Sequence, residues 1–196
     1  MSTKIDFESL WLRSLDYRIQ QIMEEWLFFL SFLEEPKTSL EIGAKYGGTA
    51  FGLIKVSQEG GHVISIDPLP PRVKDLENER PSIKYSFLQG GSQESYIIQK
   101  AVEYAPFDVL FIDGEHHDDS PTQDFKNFLP HMNRKTGIIG FHDIKGKKSV
   151  VEIWSKIKSI SPGATKELVT TPGKNGIGIF FLGKAREEIY LKSYSI

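Results

Sequence analysis

The densest run of groups able to do chemistry is Asp113-Gly114-Glu115-His116-His117-Asp118-Asp119, directly after the apolar stretch 107–112. Carboxylates at this density can hold a divalent cation through oxygen, and imidazoles can take a proton or ligate a metal. A shorter set, His142-Asp143, follows the apolar run 137–141. If the two runs are adjacent parallel strands, their ends bring Asp113 and Asp143 to one cleft. The competing reading is an ordinary solvated acidic turn. Lys145, Lys147 and Lys148 lie just beyond, either as a solvated helix start or as a seat for an anionic group on a substrate.

A second constellation is Glu41-Ile42-Gly43-Ala44-Lys45-Tyr46-Gly47-Gly48-Thr49. Glycines at a strand-to-helix junction let the backbone turn sharply and approach a ligand, because no Cβ intervenes. The spacing is neither G-x-G-x-x-G nor G-x-x-x-x-G-K-[ST], which counts against dinucleotide and nucleoside-triphosphate loops; a tight structural junction is the alternative. Asp67 ends the next apolar run, about 20 residues on, where an acid can accept hydrogen bonds from both hydroxyls of a ribose. A solvated strand-end aspartate is the alternative there.

The elements that must position these groups can be read from periodicity. Between residues 6 and 34, Leu15, Ile19, Ile22, Trp26, Phe29 or Leu30, and Leu33 recur at three- and four-residue spacing, predicting one or two helices that end at Pro36. The stretch 26–33 is apolar all round, which predicts burial on more than one side; packing on the body, a lid and a contact with a second copy are the options. Strands are expected at 39–43, 62–66, 83–88, 107–112 and 137–141. Helices are expected at 49–58, 92–104, 120–132 and 148–159, with a short one within 69–80. The runs 166–171 and 177–182, joined by Pro172, Gly173, Lys174, Asn175 and Gly176, read as a hairpin. Apolar strands alternating with helices indicate an α/β, doubly wound, mostly parallel sheet covered on both faces, with ligands beyond the carboxyl ends of the strands.

Composition excludes more than it names. The 196 residues make about one domain, with 39% hydrophobic and 26% charged residues, and 24 basic against 26 acidic side chains leave a net charge of -2. No global field favours nucleic acid or an acidic membrane surface. With no cysteine, disulfides, zinc-thiolate sites and thiol nucleophiles are excluded. The run 26–33 is too short to span a bilayer, which takes about 20 residues. Residues 1–10 lack the pattern of a secretory signal, so a cytoplasmic location is expected.

With these residues in hand, the chain resembles class I S-adenosylmethionine-dependent methyltransferases. It is most similar to the small branch grouped with catechol-type, cephalosporin-hydroxylase-like and sugar O-methyltransferases. The likeness covers residues 39–182 and is sharpest over 107–144, where strand, Asp-Gly-x-His turn, helix, turn, strand and His-Asp ending follow in order. It implies a helical extension at 1–38, a Rossmann-like methyltransferase domain at 39–196 and a C-terminal antiparallel hairpin. It further implies that Gly43, Ala44, Lys45, Gly47 and Gly48 line the methionine and ribose part of S-adenosylmethionine, with Glu41 close behind and Asp67 on the ribose. Gly91 stands where the family often has an aspartate, so adenine would rest on Gly91, Ser92, Gln93 and backbone groups. Asp113 would lie near the sulfonium and the acceptor.

Two catalytic arrangements follow from the resemblance. Asp113 and Asp143 may be read as ligands of Mg2+, although Ile144 stands where the metal-binding branch often has Asn; alternatively His116 or His142 is a metal-free general base. The expected activity is O-methylation of a small hydroxylated molecule or sugar, with a small-molecule acceptor, no nucleic-acid or membrane partner, and the N-terminal helix as the surface for any homodimer. The rival readings are a non-catalytic S-adenosylmethionine-binding module and an NAD-dependent oxidoreductase.

Overall fold

The computed structural model describes residues 6–69, 75–170, 175–185, 187 and 189. Seven strands form one sheet in the order β3-β2-β1-β4-β5-β7-β6. They are β1 (Thr38–Ile42), β2 (His62–Asp67), β3 (Lys84–Gln89), β4 (Val109–Ile112), β5 (Ile138–His142), β6 (Thr165–Leu168) and β7 (Ile177–Phe181). The first five are parallel to one another, while β7 runs antiparallel to both β5 and β6. The expected doubly wound sheet and its C-terminal hairpin are therefore present, with β7 the reversed strand. The order turns back between β1 and β4, which opens a crevice at their carboxyl ends.

Alternate residues of each strand serve opposite faces. Leu40, Ile42, Ile64, Ile66, Leu110 and Ile112 point into a core closed by α4 (Ser95–Val102), α5 (Ser120–Phe128) and α6 (Lys148–Ile160). Val63, Val109, Phe111, Ile177 and Ile179 point the other way, towards α1 (Phe7–Ser14), α2 (Met23–Leu30) and α3 (Gly48–Val56). Trp26 and Phe29, both fully buried, pack on Phe111 with ring centroids 5.1 and 5.2 Å away. The apolar stretch at 26–33 is thus used, as expected, for burial against the sheet.

The single helical face expected over 6–34 does not survive. Arg18 takes a left-handed conformation (φ 49°) after a 3-10 turn at Leu15–Tyr17, which breaks the segment in two. Leu15 is left 49% exposed, and Ile19 and Ile22 lie between the helices. The helix expected at 120–132 ends at Phe128 and continues as a 3-10 turn. Pro130 has no N–H for the helical ladder and its ring disfavours helical backbone just before it. In the stretch 69–80 only Leu76–Asn78 forms a 3-10 turn, and residues 70–74 lie outside the described residues, as do 171–174 of the hairpin connection. Among the described residues, no helix is long and apolar enough to cross a membrane.

Candidate active site

Strand register builds the site. Phe111 pairs with Gly140 and Ile112 with Phe141, so one step further Asp113 and His142 stand side by side at the strand ends. Their side chains meet, with His142 Nδ1 3.0 Å from Asp113 Oδ1. Asp143, the next residue, takes a left-handed backbone (φ 61°). Its Oδ2 lies 3.2 Å from His116 Nε2, while His116 Nε2 is 3.8 Å from Asp113 Oδ1. The His116 turn is held in place by Ser149 at the start of α6, whose hydroxyl donates to the His116 carbonyl at 2.7 Å.

The ionisation of this cluster follows from its geometry. Burial works against a charge on His142, but Asp113, Asp143 and Glu25 outweigh it and push its pKa up to about 9. Burial likewise opposes the charge on Asp143, yet His116, His142 and Lys147 hold its carboxyl below the usual range. Two buried nitrogens, His116 Nδ1 and His142 Nε2, have no hydrogen-bond partner among the described residues. Ligand atoms from Asp113, His116 and Asp143 lie within 4.8 Å of one another. Metal–ligand bonds of about 2.0–2.6 Å place ligands up to roughly 5 Å apart across one ion. The donor set, two carboxylates and an imidazole, therefore fits a divalent cation, and the structure adds His116 to the two aspartates expected.

The glycine loop lies against this cluster. Gly43 (φ 93°) is so close to β4 that a Cβ would sit 2.2 Å from the Asp113 carbonyl oxygen. Gly47 (φ 84°) turns the chain into α3. Asp67 Oδ2 accepts the Lys45 N–H at 2.8 Å and Oδ1 the Leu69 N–H at 2.9 Å, so the acid bridges the two loops. Glu41 is fully buried beneath the loop, accepting from Thr49 and from Ser65 at 2.6 Å. Burial, against those two hydrogen bonds, raises its pKa to about 7.

A cleft of about 490 Å³ joins the two regions. Gly43, Ala44, Lys45, Gly48, Asp67, Ser92, Asp113, His116, His142 and Asp143 all line it. Glu41 and Gly47 do not: Glu41 supports the loop from below, and Gly47 is taken up in the turn into α3. Gly91 and Gln93 also lie outside the lining: the Gly91 N–H is donated to Glu94 at 2.8 Å, and Gln93 is exposed, its amide reaching the Ser120 carbonyl at 3.4 Å. Of the expected adenine residues, Ser92 reaches the cleft, together with Gly90; the Ser92 hydroxyl donates to Asp124 at 2.7 Å. The lysines beyond β5 face outward: Lys145 pairs with Glu167 at 3.4 Å and Lys148 with Glu152 at 3.9 Å.

Four lining residues carry no sequence signal of their own. Arg18, Gln20 and Gln21 come from the break between α1 and α2, and Asn175 from the β6–β7 connection. Gln21, almost fully buried, donates to Asp113 Oδ2 at 2.5 Å across 92 residues of sequence. Glu25, fully buried one turn later, holds the β6–β7 connection: Oε1 accepts from the N–H (3.0 Å) and hydroxyl (2.8 Å) of Thr170, and Oε2 from the Gly176 N–H (3.1 Å).

Comparison with known proteins places this chain among methyltransferases. A family model described as methyltransferase domain matches residues 40–144. Among solved structures, the MycE methyltransferase from the mycinamycin biosynthetic pathway, bound to Mg and SAH, superposes with a TM-score of 0.66 at 16% identity. It covers 95% of this chain, which spans 57% of that one. An O-methyltransferase from Bacillus cereus with SAH gives a TM-score of 0.62 at 15% identity, over 92% of this chain and 93% of its own. Among curated sequences, an uncharacterized protein y4gI of Sinorhizobium fredii is 27% identical over 86 residues, 42% of this chain. The chain spans only 9% of that relative's length.

Proposed function

The chain belongs to the methyltransferase domain family, and on that premise we propose that it is an S-adenosylmethionine-dependent methyltransferase acting on an oxygen of a small hydroxylated molecule or sugar. The observation that carries the reading is the shared position of Asp113. Its backbone abuts Gly43 of the loop and its carboxylate joins His142. A cofactor held on the loop therefore has its reactive end beside the acid–imidazole cluster. The similarity to the Bacillus cereus O-methyltransferase bound to SAH supports oxygen as the acceptor.

Bound S-adenosylmethionine supplies an electrophilic methyl group for direct displacement. The protein's task is alignment of the acceptor and management of its proton. Asp67 offers a ribose the lone pairs that its two backbone amides leave free. Asp113, Asp143 and His116 would hold a divalent cation, which lowers the pKa of a hydroxyl bound to it. With no cation bound, the carboxylates around His142 favour its protonated form, in which it fixes Asp113 by a hydrogen bond. A second reading is favoured by the 3.2 Å His116–Asp143 pair: without a metal, His116 is the imidazole placed to accept the acceptor's proton, with Asp143 orienting it. The polar wall formed by Gln21, His116 and Asn175 supports a hydroxylated acceptor over a flat apolar one.

Calorimetry with S-adenosylhomocysteine tests the cofactor site. Wild type should bind, and Asp67→Ala should weaken binding at least about tenfold, as loss of charged hydrogen bonds does; absence of wild-type binding sinks the reading. Release of S-adenosylhomocysteine from a panel of hydroxylated acceptors, with Mg2+ and with EDTA, then separates the two catalytic arrangements.

A further inference from the structure

Two cations that line the cleft have no anion beside them among the described residues. Arg18 ends the turn before α2 and Lys45 sits in the middle of the glycine loop; both line the cleft and both have left-handed backbone (φ 49° and 45°). They flank one ring, the Arg18 guanidinium carbon 5.5 Å and Lys45 Nζ 5.9 Å from the Tyr46 centroid. Among the described residues neither forms an ion pair, and the Lys45 ammonium has only the neutral amide oxygen of Gln20 at 2.5 Å. Arg13, Lys55 and Arg80, by contrast, are each matched to a glutamate. A ring face holds a cation more weakly than an anion does, so each of these charges can still take an anionic partner.

The position of this corner is fixed. Ile19, the residue after Arg18, packs so tightly on α3 that a Cβ on Gly48 would lie 2.5 Å from its Cα. Two other donors of the loop are already committed: the Thr49 hydroxyl donates to Glu41 and the Lys45 N–H to Asp67. The opposite end of the cleft carries Asp113 and Asp143, which repel a carboxylate and attract an ammonium. A zwitterionic amino-acid group lying along the loop therefore has one favourable orientation.

We propose that Arg18, with Lys45, seats the α-carboxylate of the cofactor's methionine moiety, which makes the connection between α1 and α2 part of the cofactor site. The inference rests on the S-adenosylmethionine reading above. It is tested by calorimetry on wild type, Arg18→Met and Arg18→Lys with two ligands: S-adenosylhomocysteine, which carries the carboxylate, and 5′-methylthioadenosine, which lacks the amino-acid group. Methionine keeps a Cβ on the same left-handed backbone, and circular dichroism checks the fold. Arg18→Met should weaken S-adenosylhomocysteine by roughly 10- to 100-fold, the effect of losing a charge-assisted hydrogen bond. It should leave 5′-methylthioadenosine within about twofold, and Arg18→Lys should recover part of the loss. Equal weakening of both ligands would make Arg18 merely structural and overturn the assignment. Unchanged S-adenosylhomocysteine affinity would also overturn it, as expected if the corner serves an anionic acceptor instead. Wild type binding neither ligand would remove the cofactor reading itself and this inference with it.

Discussion

The two ends of the cleft satisfy their polar groups differently. On the loop side Asp67 takes the amides of Lys45 and Leu69, and Glu41 takes the hydroxyls of Thr49 and Ser65. On the far side His116 Nδ1 and His142 Nε2 are buried with no partner among the described residues, and three ligand atoms crowd within 4.8 Å. An unsatisfied buried polar group costs on the order of 1–3 kcal/mol, so a fold retains such groups where a ligand or a reaction uses them. The loop is a finished scaffold and the cluster keeps hydrogen-bonding and ligating capacity in reserve. Substitutions in the loop should therefore register first as lost stability, and changes in the cluster as altered response to protons and ions.

The largest expected effect breaks the scaffold. Gly43→Ala places a Cβ on a residue with φ 93°, 2.2 Å from the Asp113 carbonyl oxygen and 2.6 Å from its carbon. Both obstacles are backbone, so relief requires β1 and β4 to move apart at the site. Loss of roughly 3 kcal/mol or more is expected, seen as a midpoint shift in urea or a lower Tm. An unchanged midpoint would mean that the loop is not rigidly seated on β4 and that the two ends of the cleft are less different than their hydrogen bonding indicates.

What the sequence revealed follows the same division. Glycines at 43 and 48 and acids at 67, 113 and 143 follow or end apolar runs, so continuous apolar strands and the rule for parallel sheets suffice to bring them to one crevice. His142 beside Asp113 was legible for the same reason, since adjacent parallel strands keep register. Gln21 and Glu25 were not: their partners are 92 and 145 or more residues away, and a polar residue in an amphipathic segment reads as solvent-facing. The left-handed turn at Arg18 that aims this segment at the cleft leaves no mark either, because arginine has no preference for that conformation. The family resemblance places Gly91 and Gln93, with Ser92, against adenine. The tight turn into α4, where Glu94 accepts the Gly91 amide, leaves Gly91 and Gln93 out of the cleft lining.

A smaller effect probes the reserve in the cluster. The folded state raises the His142 pKa from 6.5 to about 9. A raised pKa means that its stabilising contribution is fully present below pH 6.5 and is lost as the pH rises through about 9. The loss should be on the order of 2 kcal/mol, discounted from the full linkage value for the coupling with Asp113 and Asp143. For a chain of this length that is about 4–8 °C in Tm. His142→Gln should flatten the Tm profile between pH 6.5 and 9, and an unaltered slope would show that the charge on His142 is not coupled to folding.

The smallest expected effect belongs to Glu41, and it sharpens the contrast because the direction of the shift is the same while the cause differs. Burial raises its pKa from 4.5 to about 7, so its contribution is present below pH 4.5 and fades as the pH rises through 7. Glu41→Gln keeps an acceptor and adds donors that the Thr49 and Ser65 hydroxyls can accept, so at pH 5 the change should stay within about 1 kcal/mol. Above pH 7 the variant should equal or exceed wild type in Tm, because no charge remains to be buried. Mg2+ provides the discriminating condition: if Asp113, His116 and Asp143 hold it, it would compete with the proton on His142 and should alter the profile above pH 6.5. The window set by Glu41, screened beneath the loop and outside the cleft lining, should not move. A Mg2+ effect confined to the lower window would place the ion-sensitive charge in the scaffold and reverse the assignment of the two regions.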